Sequence, residues 1–67
     1  MPSITVNAEA RTLPDPFTVA DLLQLLGKDP KKLAVEVNYA VVPRAEHGSR
    51  QLADGDAVEI VTLVGGG

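Results

Sequence analysis

The segment Phe17-Thr18-Val19-Ala20-Asp21-Leu22-Leu23-Gln24-Leu25-Leu26-Gly27 restricts the possible folds of this chain more than any other. Thr18 is a good helix N-cap, and Asp21 at the third helical position forms a weak version of the capping box. Phe17 and Leu22 have the spacing of a hydrophobic staple. Val19, Leu22, Leu23 and Leu26 recur at helical spacing and make one apolar stripe. Gly27 is placed to close the helix in a left-handed conformation, and Pro30 forbids continuation. The predicted helix is only about nine residues long, and short isolated helices lose to the cost of nucleation. It has one apolar side and must therefore lie on a sheet.

The rest of the chain supplies strands. Ser3-Ile4-Thr5-Val6-Asn7 alternates, with Ile4 and Val6 on one face. Residues 8–11 suit a turn into a second short strand near Arg11-Thr12-Leu13, which Pro14-Asp15-Pro16 breaks. Leu33, Val35 and Val37 alternate with Ala34 and Glu36. Asn38-Tyr39 bends the chain, and Val41-Val42 forms a short fourth strand up to Pro43. Residues 44–53 read as a polar connection with little regular structure. Asp54-Gly55-Asp56 is a tight-turn signal that delivers a last strand over 57–64, with Val58 and Ile60 sharing a face opposite Glu59. Two strands, one helix and further strands predict an α+β fold, a mixed sheet with one main helix packed across it. The expected core is Ile4, Val6, Val19, Leu22, Leu23, Leu26, Leu33, Val35, Val37, Val58 and Ile60.

Sixty-seven residues allow one domain, and the absence of cysteine removes disulfides and thiolate metal sites. Chains this short draw limited stability from apolar burial. The hydrophobic fraction of 45% is nonetheless that of a folded globule. With a net charge of −3, six scattered basic residues and two aromatics, Phe17 and Tyr39, the chain is a poor match for nucleic acid, which requires clustered Lys and Arg. A mildly acidic surface suits a basic protein partner. No apolar run approaches the roughly 20 residues of a membrane span, and no signal peptide is evident. A soluble, cytoplasmic protein is expected.

A catalytic set is not visible. His47 and Ser49 are close in sequence, but a nucleophile needs an oriented base in a formed cleft, and His47 reads as a residue of a surface loop. Asp54 and Asp56 lack the further ligands of a calcium loop. No phosphate-binding loop motif is present. The chain is expected to catalyse nothing and to hold no cofactor or metal.

That leaves the end of the sequence. Val58-Glu59-Ile60-Val61-Thr62-Leu63-Val64 runs straight into Gly65-Gly66-Gly67. Glycine has no Cβ and lets another backbone approach closely. Three extended residues span about 10 Å. Such an arm can thread a narrow cleft and present the Gly67 carboxylate to another protein's active site. By period-two alternation Glu59, Val61 and Leu63 share the outward face of the last strand, a small patch suited to docking a partner.

Several stretches together resemble a known family. Val37-Asn38, Val41-Val42-Pro43-Arg44, Leu52 with Asp54-Gly55-Asp56, Val58-Glu59-Ile60 and the glycine tail are similar to the ThiS family, the sulfur carrier proteins of thiamin biosynthesis, with their ubiquitin-like β-grasp fold. The similarity covers nearly the whole chain and is strongest from residue 34 onward; Tyr39 stands where relatives often have Gly. The resemblance implies a single β-grasp domain over 1–64 with 65–67 as a flexible C-terminal tail. It also implies a mechanism. A ubiquitin-activating-type adenylyltransferase, using ATP and Mg, adenylates the Gly67 carboxylate. A cysteine desulfurase system supplies a persulfide that leaves a thiocarboxylate, and thiazole synthase takes the sulfur. Gly65 and Gly66 thread the partner's active site. Related alternatives are a molybdopterin-type or other sulfur carrier and a ubiquitin-like modifier. From a different class comes a binding module resembling the TGS domain, which binds RNA or ligands.

Overall fold

The computed structural model describes residues 2–63; Gly65, Gly66 and Gly67, expected to form the threading tail, lie outside the described residues. The elements are β1 (Ser3–Val6), β2 (Glu9–Thr12), α1 (Val19–Leu26), β3 (Leu33–Val37), β4 (Ala40–Val42) and β5 (Ala57–Thr62). Short 3₁₀ turns at Pro30–Lys32 and Arg44–Glu46 precede β3 and follow β4. The five strands form one sheet in the order β2-β1-β5-β3-β4. β1 and β5 run parallel, and every other neighbouring pair is antiparallel. The sheet is mixed, and α1 lies on one of its faces, as expected.

The helix forms for the reasons its sequence supplies. The Thr18 hydroxyl accepts from the Asp21 amide at 3.1 Å, and the Asp21 carboxylate accepts from the Thr18 amide at 2.9 Å, so the capping box is complete. Gly27 adopts φ 68°, and the amides of Gly27 and Lys28 satisfy the carbonyls of Gln24 and Leu23. Val19, Leu22 and Leu23 are buried, whereas Leu26 only partly reaches the core.

The two hairpins turn at asparagine. Asn7-Ala8 and Asn38-Tyr39 all have positive φ, the conformation of a two-residue turn matched to strand twist. The first hairpin turns earlier than expected, at 7–8, so β2 covers Glu9–Thr12 and Leu13 falls after it. β5 ends at Thr62, short of the expected residue 64; Val64 lies outside the described residues.

The core contains Ile4, Val6, Val19, Leu22, Leu23, Val35, Val37 and Val58, all expected. Leu26, Leu33 and Ile60, also expected there, are only partly buried and pack against its rim. Leu13, Val42 and Leu52 are buried in addition. Two of these enter through connections. Leu13 is held by its amide to the Pro2 carbonyl, and Leu52 by its amide to the Phe17 carbonyl. The 44–53 connection is therefore structured: it carries a 3₁₀ turn, and Gln51 bridges to Thr18.

His47 is a further correction. It is not a surface-loop residue but 5% exposed, and its Nε2 lies 3.2 Å from the Val42 carbonyl oxygen. The 3₁₀ turn folds the ring beneath the end of β4, where its hydrogen bond satisfies an edge-strand acceptor. No helix among the described residues is long and apolar enough to cross a membrane.

Candidate functional site

β5 lies at the centre of the sheet, and its backbone groups alternate between two neighbours. Odd-numbered residues face β3: the Ala57 carbonyl accepts from the Asn38 amide, and the Leu63 amide donates to the Lys32 carbonyl. Even-numbered residues face β1: the carbonyls of Asp56 and Val58 accept from the amides of Thr5 and Asn7. Beyond the end of β1 the Asn7 side chain continues the ladder. Its Oδ1 accepts from the Ile60 amide at 2.8 Å, and its Nδ2 donates to the Ile60 carbonyl at 3.3 Å. Asn38 acts similarly at the start of β5, accepting from the Ala57 amide and donating to the buried Asp56 carboxylate.

Side chains of β5 divide by the same alternation. Val58 is in the core, while Glu59, Val61 and Leu63 are exposed on the face away from the helix. Val61 is 49% and Leu63 51% exposed. These are large fractions for branched aliphatics directly ahead of the C-terminal segment.

Pairing register adds residues that single-strand reasoning did not reach. Glu36 of β3 stands opposite Glu59, and Val41 of β4 stands opposite Glu36. Ala34 is opposite Val61. A row Val41–Glu36–Glu59 thus crosses three strands, with Val41 66% exposed. Like charges directly opposite in a sheet are destabilising, and neither carboxylate has an ion-pair partner among the described residues. Tyr39, 83% exposed, stands at the β3–β4 turn. A shallow cleft of about 530 Å³ runs between Asn7, Tyr39, Glu59 and Val61. The face therefore combines exposed apolar groups with two uncompensated carboxylates, which fits a partner that brings a cation and apolar surface.

The other polar residues considered from sequence have structural partners. Asp54 accepts from the Ser3 amide, and Asp56 accepts from the Ala53 amide. The Ser49 hydroxyl donates to the Glu46 carbonyl, and the buried His47 ring is engaged at Val42. Among the described residues no group of three acidic, histidine or cysteine side chains could hold a metal.

Comparison with known proteins places this geometry. The family model described as the ThiS family matches residues 4–67. The thiazole synthase of Paramagnetospirillum magneticum is 41% identical over 64 residues, a match that takes in 96% of this chain but 20% of that protein, so the chain spans only a fifth of its length. The uncharacterized protein ycf40 of Porphyra purpurea is 35% identical over 65 residues, covering 97% of this chain and 92% of that one. The crystal structure of the thiamine biosynthesis protein ThiS from Geobacter metallireducens superposes with a TM-score of 0.84 at 32% identity, covering 97% of this chain and 99% of that one. With the family pattern running from Ile4 to the last residue, and the same fold in a relative aligned over almost all of both chains, this protein belongs to the ThiS family and has its ubiquitin-like β-grasp fold.

Proposed function

We propose that this protein is a sulfur carrier of thiamin biosynthesis and that its carrying group is the Gly67 carboxylate. The observation that carries the reading is the placement of β5. The strand whose exposed face holds Glu59, Val61 and Leu63 is the one from which the sequence continues into Gly65-Gly66-Gly67. Docking through that face would orient the terminal glycines toward a partner's active site.

The chemistry sets clear demands. An ionised carboxylate resists nucleophilic attack and must first be activated. An adenylyltransferase of the ubiquitin-activating type, with ATP and Mg, joins the Gly67 carboxylate to AMP and releases pyrophosphate. A persulfide from a cysteine desulfurase system then attacks the acyl carbon, and AMP leaves. Cleavage of the sulfur–sulfur bond by a thiol of the donor system leaves the thiocarboxylate. Thiazole synthase is the acceptor in this scheme. It is supported by the segment similar to this chain within the Paramagnetospirillum magneticum thiazole synthase. This chain contributes a reachable acyl group and a docking face; catalysis belongs to its partners.

The test is intact mass after incubation with the activating enzyme, ATP and sulfur donor. Wild-type protein is expected to exchange one oxygen for sulfur, and deletion of Gly67 to abolish that exchange. Sulfur acquisition by the deletion variant at the wild-type rate would exclude the terminal carboxylate as the carrier.

A further inference from the structure

On the helix side of the molecule, away from the face just described, a second cleft of about 460 Å³ opens between α1 and the 3₁₀ turn that follows β4. Its size is within the roughly 300–1,000 Å³ usual for small-ligand sites. Leu23 and Pro30 give it apolar walls, and Gln24, Lys28, Arg44 and His47 give it polar ones.

Two features of this lining are unusual for a protein with a net charge of −3. First, it holds two cations and no carboxylate. Neither Lys28 nor Arg44 is in an ion pair among the described residues, where the one such contact is Arg50 with Asp56. Asp29, which lies between Lys28 and Pro30 in sequence, is turned onto the Lys31 amide at 2.9 Å and is not part of the lining. Both side chains are exposed, so their mutual repulsion is largely screened, but a concavity lined by two positive and no negative side chains favours an anion over a cation. Lys28 follows the C-terminus of α1, whose partial negative charge offsets part of its own, although the Leu23 and Gln24 carbonyls there are already engaged by the Lys28 and Gly27 amides.

Second, the cleft is lined by a buried histidine with an unused nitrogen. A carbonyl oxygen only accepts, so the Nε2 of His47, 3.2 Å from the Val42 oxygen, carries the proton and donates. Nδ1 makes no hydrogen bond among the described residues. It is also not a solvent-inaccessible orphan, since none exists there. The ring is 5% exposed and fixed by packing and by the Val42 bond, so this nitrogen is held in place rather than swinging in solvent.

We infer that the cleft is an anion site for a phosphate monoester with a small apolar body. Arg44 supplies a planar fork suited to phosphate oxygens, and Lys28 a second charge. The Gln24 amide and His47 Nδ1 add directional partners, with Nδ1 accepting from a P–OH. Leu23 and Pro30 cover the ester's apolar part. The inference is independent of the sulfur-carrier reading, because neither Gly67 nor the face of Glu59 and Val61 takes part.

The experiment titrates the isotope-labelled full chain with phenyl phosphate, inorganic phosphate and chloride at constant ionic strength, following backbone and Arg side-chain resonances. Saturable shifts are expected at Gln24, Lys28, Arg44 and His47, with phenyl phosphate binding at least threefold tighter than inorganic phosphate and chloride without effect. Lys28→Gln and Arg44→Gln alter exposed side chains, and each is expected to weaken phenyl phosphate binding about tenfold while leaving the remaining spectrum folded. Non-saturating shifts spread equally over Lys31, Lys32 and Arg11 would overturn the inference, as would equal affinity for the two phosphates or unchanged affinity in both variants. An acidic peptide that shifts these resonances when neither phosphate does would also overturn it and would make the cleft a protein-docking surface.

Discussion

Three leucines of one short helix provide a graded test of how this fold is held together. Leu23 is 2% exposed, Leu26 is partly buried at the rim and Leu25 is 58% exposed. Replacing leucine by alanine removes three carbons, at about 0.8 kcal/mol each when fully buried, or about 2.4 kcal/mol. A cavity that cannot collapse raises this, and buried leucine truncations span about 2–5 kcal/mol. Leu23 is almost fully buried but also borders the cleft beside α1, so a value in the lower part of that range, about 3 kcal/mol, is expected for Leu23→Ala. Leu26→Ala should lose roughly half the transfer contribution and leave little cavity, about 1 kcal/mol. Leu25→Ala should fall within about 0.5 kcal/mol of wild type. At roughly 0.05–0.15 kcal/mol per residue, total stability is about 3–10 kcal/mol, so Leu23→Ala removes a large share and can unfold a detectable population. Urea denaturation followed by circular dichroism measures all three. The order Leu23 > Leu26 > Leu25 is required. A Leu26 cost equal to that of Leu23, or a Leu25 cost above both, would show that the helix sits on the sheet with a different rotation.

Other perturbations probe the cap, the exposed face and the tail. Thr18→Ala opens the capping box and should lower unfolding free energy by about 1 kcal/mol in the same denaturation assay. Glu59→Gln removes one of two opposed carboxylates, so it should raise the melting temperature slightly, by about 0.2–1 kcal/mol of stability; a lowered melting temperature would mean the pair is compensated. Leu63→Asp should leave the melt unchanged yet weaken binding to the activating enzyme in calorimetry, and equal affinity would place docking elsewhere. Gly66→Val should block sulfur loading in the intact-mass assay with the fold preserved, because a β-branched side chain narrows the backbone and fills a tight channel.

What the sequence disclosed and what it concealed differ in range. Thr18, Asp21 and Gly27 act within a few residues of themselves, so the helix could be read almost to its ends. Val35, Val37 and Val58 show their face by alternation, and the same rule put Glu59, Val61 and Leu63 outward. Leu13, Leu52 and His47 follow no period. Their burial comes from connections tied to backbone outside their own segment's period: Leu13 to Pro2, Leu52 to Phe17, and the His47 ring back across the 3₁₀ turn to Val42. A polar-looking stretch such as 44–53 conceals this, because Leu52 is an isolated apolar residue there and a single histidine has no pattern. The Glu36–Glu59 pair was hidden for a related reason. Each residue's face was legible, but which residues stand opposite depends on the register between β3 and β5.

The placement of β5 bears on both the stability of the domain and the proposed presentation of its C-terminal segment. Its anchoring falls off in steps toward the C-terminus. At Val58 the strand is paired with β1 and β3 on its two edges and buried against the core. At Ile60 the β1 side is reduced to the Asn7 side chain, although both backbone groups are still satisfied. At Leu63 the remaining backbone tie among those described is the amide bond to Lys32 on the β3 side. On the core-facing side exposure follows the same direction, from buried Val58 through part-buried Ile60 to exposed Thr62. A terminal strand at a sheet edge would place the last residues where unpaired backbone invites pairing with other chains. A central strand instead fixes the base of the C-terminal segment in the most constrained part of the sheet. In the proposed docking, a partner would grip Glu59 and Val61 without disturbing Val58 on the other side of the same strand, because core-facing and outward residues alternate from Val58 to Val61.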